Sequence, residues 1–398
     1  MISVSRILCG AVAPGDSLRY GDEGGFAEAV KTPGEQRPIV VWNCTRRCNL
    51  HCIHCYANSS DIDYESELST REAKSFIEDL ADFGVPVLLF SGGEPLMRAD
   101  ILELAAYARE LGIRPVLSTN GTLITDDVAR KIRSIGFGEV GISLDGIGSN
   151  NDRFRGQKGA YDAALAGIKR CVRLGIRVSL RFTITTYNYG EIPSIFDLIE
   201  FEDIDRACFY HLAYVGRADK MQNEMLPPQT TRDTVDMIFK RTQAMYRRGL
   251  RKEILTVANH ADAVYAYLKV KAEQPERAAE VLELLRRNGG NNAGILIGAV
   301  DNIGNVHADQ FWWHYSFGNV RQRKFGDIWL DTSDPLMKGL KDRKPLLKGR
   351  CARCRYLDIC NGNLRVRAEA AYGDVWTEDP ACYLTDDEIG INQPVTEV

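Results

Sequence analysis

Three cysteines lie close together near residue 50 of this 398-residue chain. Cys48, Cys52 and Cys55 follow the pattern Cys-x3-Cys-x2-Cys, directly after an apolar run at 39–43. Three thiolates on one loop can wrap a small inorganic core, and a four-iron cubane held this way keeps one iron without a protein ligand. An open iron can bind an outside chelate, as the open position of a catalytic zinc site does. The spacing therefore allows a [4Fe–4S] cluster with one free coordination site, with structural zinc as the alternative.

A second group of cysteines stands near the other end of the chain. Cys351, Cys354 and Cys360 have the spacing Cys-x2-Cys-x5-Cys, and Cys382 follows them. Four thiolates can close a [4Fe–4S] cluster completely, or they can bind one zinc ion in a tetrahedron. The spacing alone leaves both interpretations open.

Short apolar runs, which are predicted strands, alternate with predicted helices along the chain. These elements position the first cysteine loop. The predicted strands are 39–43, 87–91, 115–119, 139–144, 178–184 and 207–212. The predicted helices between them are 70–83, 100–111, 126–135, 160–174 and 192–201. This alternation indicates an α/β fold with parallel strands and right-handed crossovers. Six units fit a partial (β/α)6 barrel or an open sheet, and in both the site lies at the carboxyl ends of the strands.

The sequence pattern divides the chain into four parts. Residues 1–36 are interpreted as an N-terminal extension, and 37–250 carry the alternating strands and helices. Residues 251–294 are predicted to be a helical connection. Residues 295–398 combine short strands, turns and the second cysteine group, and are interpreted as a small second domain.

Polar motifs stand where the predicted strands end. Ser91–Pro95, with the sequence Ser-Gly-Gly-Glu-Pro, ends the second strand, Ser118–Thr122 ends the third and Ser143–Asp145 the fourth. The paired glycines allow a close backbone approach. The Cys48–Cys55 spacing, with Tyr56 after the last cysteine, and the Ser91–Pro95 motif together resemble the signature of the radical S-adenosylmethionine (SAM) superfamily.

This resemblance implies a partial (β/α)6 TIM-type barrel with SAM bound at the open iron. It implies that SAM is contacted by strand-end residues, namely Gly92, Gly93, Glu94, Ser143 and Arg181. It also favours a cluster over structural zinc, for which Cys44 would be the fourth sulfur. Cys44 lies outside the signature and is interpreted as a buried thiol.

The segment 317–329 resembles the lead-in of the twitch or SPASM-type auxiliary domains found in radical SAM enzymes. The resemblance implies a second [4Fe–4S] cluster, bound by Cys351, Cys354, Cys360 and Cys382. The full SPASM pattern has more cysteines than these four, so one auxiliary cluster is expected.

Longer segments resemble the tetrapyrrole-modifying members of the superfamily: 37–56, 151–156, 208–212, 306–315 and 349–383. The nearest resemblance is to the 12,18-didecarboxysiroheme deacetylases of alternative haem biosynthesis and to their haem d1 relatives. It implies radical C–C bond cleavage that removes two acetate side chains and gives Fe-coproporphyrin III. It also implies an external low-potential electron donor, because the cluster must be reduced before SAM is cleaved.

A tetrapyrrole substrate with several carboxylates needs cationic and aromatic partners. Arg153, Arg155 and Lys158 are predicted to pair with its propionates. Ring stacking is predicted for Phe311, Trp312, Trp313 and Tyr315, with core packing as the alternative. His307 or His314 is predicted near the iron of the macrocycle, with structural hydrogen bonding as the alternative.

Three other functions remain as alternatives. They are propionate removal in haem d1 synthesis, peptide modification by a SPASM-type maturase, and a non-catalytic iron–sulfur redox role. A maturase usually has a peptide-docking region, for which 1–36 is short, and electron transfer alone does not require the Ser91–Pro95 motif.

Composition excludes two classes of partner. The net charge of −4 gives no basic footprint for nucleic acid. No apolar run approaches the length of roughly 18 residues that a membrane helix needs. We therefore expect a cytoplasmic protein that binds neither nucleic acid nor membrane.

Overall fold

The computed structural model describes residues 1–21 and 37–391, and a single sheet organises this part of the chain. Its strands are β1 (Ile2–Ser3), β2 (Ile39–Thr45), β3 (Val87–Gly92), β4 (Arg114–Thr119), β5 (Glu139–Ser143), β6 (Val178–Ile184), β7 (Arg206–His211), β8 (Glu253–Val257), β9 (Ile297–Val300) and β10 (Val306–His307). The strand order is β1-β8-β7-β6-β5-β4-β3-β2-β9-β10.

Helices connect these strands and cover the sheet. The α-helices up to β8 are α1 (Val4–Cys9), α2 (Asp16–Tyr20), α3 (Thr70–Phe83), α4 (Ile101–Glu110), α5 (Asp126–Ile135), α6 (Ser149–Arg155), α7 (Ala160–Arg173), α8 (Ile192–Phe201) and α9 (Pro228–Arg247). Those after β8 are α10 (Ala261–Glu273), α11 (Ala278–Asn288), α12 (Phe325–Leu330), α13 (Pro335–Lys341), α14 (Gly349–Ala352), α15 (Leu357–Cys360), α16 (Arg365–Tyr372) and α17 (Asp386–Ile389). Short 3-10 helices are formed by Pro95–Met97, Tyr189–Glu191, Gly216–Glu224, Pro275–Arg277 and Lys344–Leu346.

The α/β prediction is confirmed by the pairing of the strands. All six predicted strands are present, and each pairs in parallel with the next one along the chain. The order begins at β1 and ends at β10, both of which pair antiparallel, so the sheet does not close on itself. An open ring of parallel strands with helical crossovers is a partial barrel.

Local sequence signals account for the helices that precede the site. Ser69 accepts a hydrogen bond from the backbone N–H of Glu72, and the Glu72 carboxylate accepts one from the Ser69 N–H, which forms the capping box of α3. The Thr125 side chain caps α5 by accepting a hydrogen bond from the Val128 N–H. These caps set where each crossover helix begins and therefore where the preceding loop ends.

The helical prediction for 251–294 missed a strand. Glu253–Val257 forms β8 and pairs in parallel with β7 over Arg206–Tyr210. The segment is short and lies between two helical patterns, so its strand conformation is fixed by pairing with a distant neighbour and not by its own periodicity.

Strand pairing also crosses the other predicted boundaries. In the N-terminal extension, β1 pairs with β8, and β9 of the second domain pairs in parallel with β2. Residues 22–36 of the extension lie outside the described ranges. The division into domains stays a prediction. Within 1–21 and 37–391, no helix is both long and apolar enough to cross a membrane.

Candidate active site

A cavity of about 210 Å³ lies at the carboxyl ends of the parallel strands. The residues that line it include one from each strand from β3 to β7, namely Ser91, Ser118, Ser143, Arg181 and His211. This is the position that the parallel topology predicts for a site.

The first cysteine loop follows β2, and all three of its thiols line this cavity. Each sulfur accepts a weak hydrogen bond from a nearby N–H group. The contacts are Leu50 N to Cys48 Sγ at 3.4 Å, Arg155 Nη1 to Cys52 Sγ at 3.6 Å and Ser59 N to Cys55 Sγ at 3.5 Å. Donors aimed at the sulfurs favour the charge of a ligating thiolate. Three such sulfurs that line one cavity fit a [4Fe–4S] cluster with one open iron.

Gly92 and Gly93 hold the end of β3 against the backbone that leads into the cysteine loop. A Cβ at Gly92 would overlap the carbonyl of Thr45, and one at Gly93 would overlap the carbonyl of Arg47. The backbone N–H of Gly93 donates to Thr45 O at 2.7 Å. The two glycines thus line the cavity and permit this close approach, while their contact with SAM stays a prediction.

Glu94 is fully buried, and its carboxylate is occupied by protein donors. It accepts hydrogen bonds from Asn120 N at 2.7 Å, Thr119 Oγ1 at 2.7 Å and Leu96 N at 3.0 Å. These bonds fix the end of β4, where Asn120 lines the cavity with Nδ2 3.9 Å from Cys48 Sγ. The structure therefore gives Glu94 a supporting role, and its predicted contact with SAM stays a prediction.

The burial of Glu94 leads to a prediction on pH. Burial, opposed by the three hydrogen bonds, raises the pKa of Glu94 to about 7. Between an unfolded pKa near 4.5 and this value, the native state holds a proton that the unfolded state has lost. The contribution of Glu94 to the free energy of unfolding is therefore fully present below pH ~4.5. It falls by about 3 kcal/mol as the pH rises to ~7. Urea unfolding at several pH values in this window should show that the free energy of unfolding falls less steeply with pH in Glu94→Gln than in the native protein. Equal slopes for the two proteins would contradict the prediction.

Arg181 and Ser143 both line the cavity from adjacent strands. The Arg181 side chain passes over Gly141, where any Cβ would overlap the guanidinium, and its Nη1 donates to Ser118 Oγ. Its Nε is buried and has no hydrogen-bond partner in the described part of the chain. A buried guanidinium donor without a partner is costly and fits an anionic ligand such as the SAM carboxylate.

Arg155 corrects one substrate prediction. Its guanidinium is buried, forms an ion pair with Asp145 and contacts Cys52, which favours a role in supporting the cysteine loop over pairing with a propionate. Burial alone would raise the pKa of Asp145, but Arg155 and then His54 outweigh it and hold that pKa at about 2. Sequence reasoning missed this role because it arises only when α6 packs on the cysteine loop. Arg153 and Lys158 are exposed and do not line the cavity.

The segment after β10 supplies another wall of the cavity. Gln310 and Phe311 line it, and the Phe311 ring meets Tyr56 edge-on at 5.6 Å. Trp312 is fully buried in a core cluster, as the alternative interpretation of the aromatic run predicts.

The two histidines proposed near the iron of the macrocycle do not line the cavity. His307 Nδ1 lies 2.7 Å from Tyr315 O, and His314 Nε2 lies 2.9 Å from the Glu369 carboxylate on the surface. Both contacts agree with the alternative of structural hydrogen bonding.

The second cysteine group lies in the C-terminal part of the described chain. Burial raises the pKa of Cys360 well above its usual value, and the charges of Cys382, Cys351 and Cys354 raise it further. Within the described ranges, no three Cys, His, Asp or Glu side chains are arranged to hold a single metal ion. Binding of the auxiliary cluster by these cysteines stays a prediction.

A partial barrel with a three-cysteine loop after its first parallel strand and a glycine motif after the second defines the site of a radical SAM enzyme. Residues 42–199 match the Radical SAM superfamily. The chain belongs to this superfamily.

Two relatives that match over most of their length are named as synthases of Fe-coproporphyrin III and of pre-heme d1. The Fe-coproporphyrin III synthase of Methanosarcina barkeri is 58% identical over 98% of this chain and 99% of its own length. The pre-heme d1 synthase of Dinoroseobacter shibae is 45% identical over 90% of this chain and 89% of its own. The similarity to the Fe-coproporphyrin III synthase extends across both cysteine groups.

A solved structure confirms the fold. Streptococcus suis SuiB, bound to its precursor peptide SuiA, superimposes with a TM-score of 0.71 over 88% of this chain and 77% of that one. The sequence identity is 20%, so this likeness concerns the architecture.

Proposed function

We propose that this protein removes the two acetate side chains of 12,18-didecarboxysiroheme and thereby forms Fe-coproporphyrin III. The observation that carries the proposal is the 58% identity, over nearly the full length of both chains, to an Fe-coproporphyrin III synthase. The cysteine loop and the cavity at the strand ends supply a site for the radical chemistry that this cleavage needs.

The superfamily brings a [4Fe–4S] cluster and SAM, and we assign their binding to named residues. Cys48, Cys52 and Cys55 would hold the cluster, and Arg181 and Ser143 would contact SAM beside it. The reduced cluster, when bound, supplies one electron that cleaves SAM to the 5′-deoxyadenosyl radical. An auxiliary [4Fe–4S] cluster would be held by four thiolates: Cys351, Cys354, Cys360 and Cys382.

The remaining lining residues orient these groups and exclude water. Asn120 and Arg155 place donors next to Cys48 and Cys52, which fixes the loop sulfurs. Tyr56 donates to Asn43 Oδ1 at 3.1 Å and packs on Phe311, so the two rings close one wall of the cavity. A dry, shaped cavity protects a reactive radical from side reactions. The tetrapyrrole and an external low-potential electron donor are the partners that this function requires, and a cytoplasmic location stays a prediction.

An anaerobic assay with 12,18-didecarboxysiroheme tests the proposal. Reconstituted protein, SAM and reductant should release two acetates per macrocycle and yield Fe-coproporphyrin III by mass spectrometry. Loss of propionate would instead support the haem d1 alternative, which the 45% identity to a pre-heme d1 synthase favours as second candidate. If the protein has a non-catalytic redox role, no 5′-deoxyadenosine should form with any reductant. If it is a peptide maturase, adding the tetrapyrrole should not increase the formation of 5′-deoxyadenosine.

Replacing Cys354 with Ala should separate the two cysteine groups. Because Cys354 lies in the C-terminal group, the variant should still form 5′-deoxyadenosine while acetate release falls by at least about tenfold. Cys171→Ala is a matched control, since Cys171 is buried in α7 outside both groups, and it should keep both activities. Equal loss of 5′-deoxyadenosine and acetate in Cys354→Ala would show that the C-terminal group supports the radical step itself.

A further inference from the structure

His211 lines the cavity at the end of β7, and nothing above assigns it a role. Its Nε2 lies 2.9 Å from Asp262 Oδ2 on α10. Asp262 is fully buried, and its other oxygen accepts a hydrogen bond from the Tyr383 hydroxyl at 2.8 Å. The imidazole is therefore held by a carboxylate that is itself held by the C-terminal segment.

This arrangement determines which ring nitrogen is left for a ligand. A carboxylate only accepts hydrogen bonds, so Nε2 of His211 carries a hydrogen and donates it to Asp262. No hydrogen bond to Nδ1 is found in residues 1–21 and 37–391. Nδ1 donates to a carboxylate when the ring is protonated, and it accepts from the O–H of a carboxylic acid when the ring is neutral.

The other cationic side chains of the cavity already have partners. Arg155 pairs with Asp145, and His54 Nε2 lies 3.2 Å from the same carboxylate. Arg217 donates to Cys52 O at 2.7 Å and to Ser59 O at 2.9 Å.

Arg181 bonds Ser118 and is assigned above to SAM. His54 and Arg155 each keep a buried nitrogen without a hydrogen bond, but His54 belongs to the cysteine loop and Arg155 contacts Cys52. His211 is the lining side chain of this kind with no hydrogen bond or ion pair to the cysteine loop or to Ser118 in the described part of the chain.

We propose that His211 binds a side-chain carboxyl group of the tetrapyrrole through Nδ1, and that Asp262 is the positioning residue that fixes the ring. The inference rests on the proposed function, because a poly-carboxylate substrate supplies the group that Nδ1 would bind. It also gives the C-terminal segment a part in substrate recognition, since Tyr383 supports Asp262 from beside Cys382.

Substrate affinity in two variants tests this role. Anaerobic absorption titrations with 12,18-didecarboxysiroheme should give His211→Phe a Kd about 10- to 100-fold higher than that of the native protein, as expected for a lost hydrogen bond to a charged group. Asp262→Asn keeps a hydrogen-bond acceptor for the ring but removes the charge, and should give a smaller increase. His314→Phe is the matched control on the surface and should bind as the native protein does.

The methyl ester of the substrate provides a readout specific for carboxyl recognition. The native protein should prefer the free acid to the ester, and His211→Phe should bind the two alike. An unchanged Kd and an unchanged preference for the acid in His211→Phe, with normal iron–sulfur absorption, would overturn the assignment of His211 alone. A native protein that binds neither compound would overturn the proposed function, and this inference with it.

Discussion

Replacing any one of Cys48, Cys52 and Cys55 with Ala removes 5′-deoxyadenosine formation, with a loss of more than about 10³-fold, as for other essential catalytic groups. The three sulfurs line one cavity, and each accepts a hydrogen bond from an N–H group, which favours a ligating thiolate. Two thiolates cannot hold a cubane with its fourth iron in a defined position, so the electron no longer reaches a bound SAM. Anaerobic reconstitution, iron content and chromatography of 5′-deoxyadenosine measure this result.

Cys44 is the matched control for that experiment. It is fully buried near the same loop, but its thiol donates to the Ser91 carbonyl at 3.2 Å and does not line the cavity. Cys44→Ala should keep its iron and its activity, at a cost of about 1 kcal/mol in stability. Loss of the metal in Cys44→Ala would indicate a closed site with four sulfurs and would restore the zinc interpretation.

The features of this site that the sequence predicts are local ones. The Cys48–Cys55 spacing and the glycines at the end of β3 are each complete within a few residues, and the structure brings both to the cavity. Periodicity found the six strands from β2 to β7 because each is followed by an amphipathic crossover helix.

The features that the sequence does not predict depend on distant partners. The strand β8 is defined by pairing with β7. The Glu94 carboxylate is occupied by hydrogen bonds from the end of β4. The pairing of His211 with Asp262 joins residues 51 positions apart. No periodicity or spacing carries such information, because it arises only when the barrel brings the elements together.

Arg155 shows the clearest difference between the sequence-based prediction and the structure. The sequence predicts that it binds the substrate, whereas the structure places it beside Cys52. Arg155→Met should lower the free energy of unfolding by about 3–5 kcal/mol, since it leaves the buried Asp145 carboxylate without its main partner. Iron retention should fall with it, because Cys52 loses a donor. Urea unfolding and iron analysis of anaerobically prepared protein measure both effects.

A double variant separates the ion pair from a contact with substrate. In Arg155→Met/Asp145→Asn the uncompensated charge is removed, so much of the lost stability should return. Arg153→Met is the matched control, because Arg153 is exposed and lies over the Tyr187 ring, and it should change stability by less than about 1 kcal/mol. If Arg155→Met keeps native stability and iron but raises the Kd for the tetrapyrrole, Arg155 is a substrate ligand after all. The structure favours the opposite order of effects, because the guanidinium is buried, pairs with Asp145 and contacts Cys52.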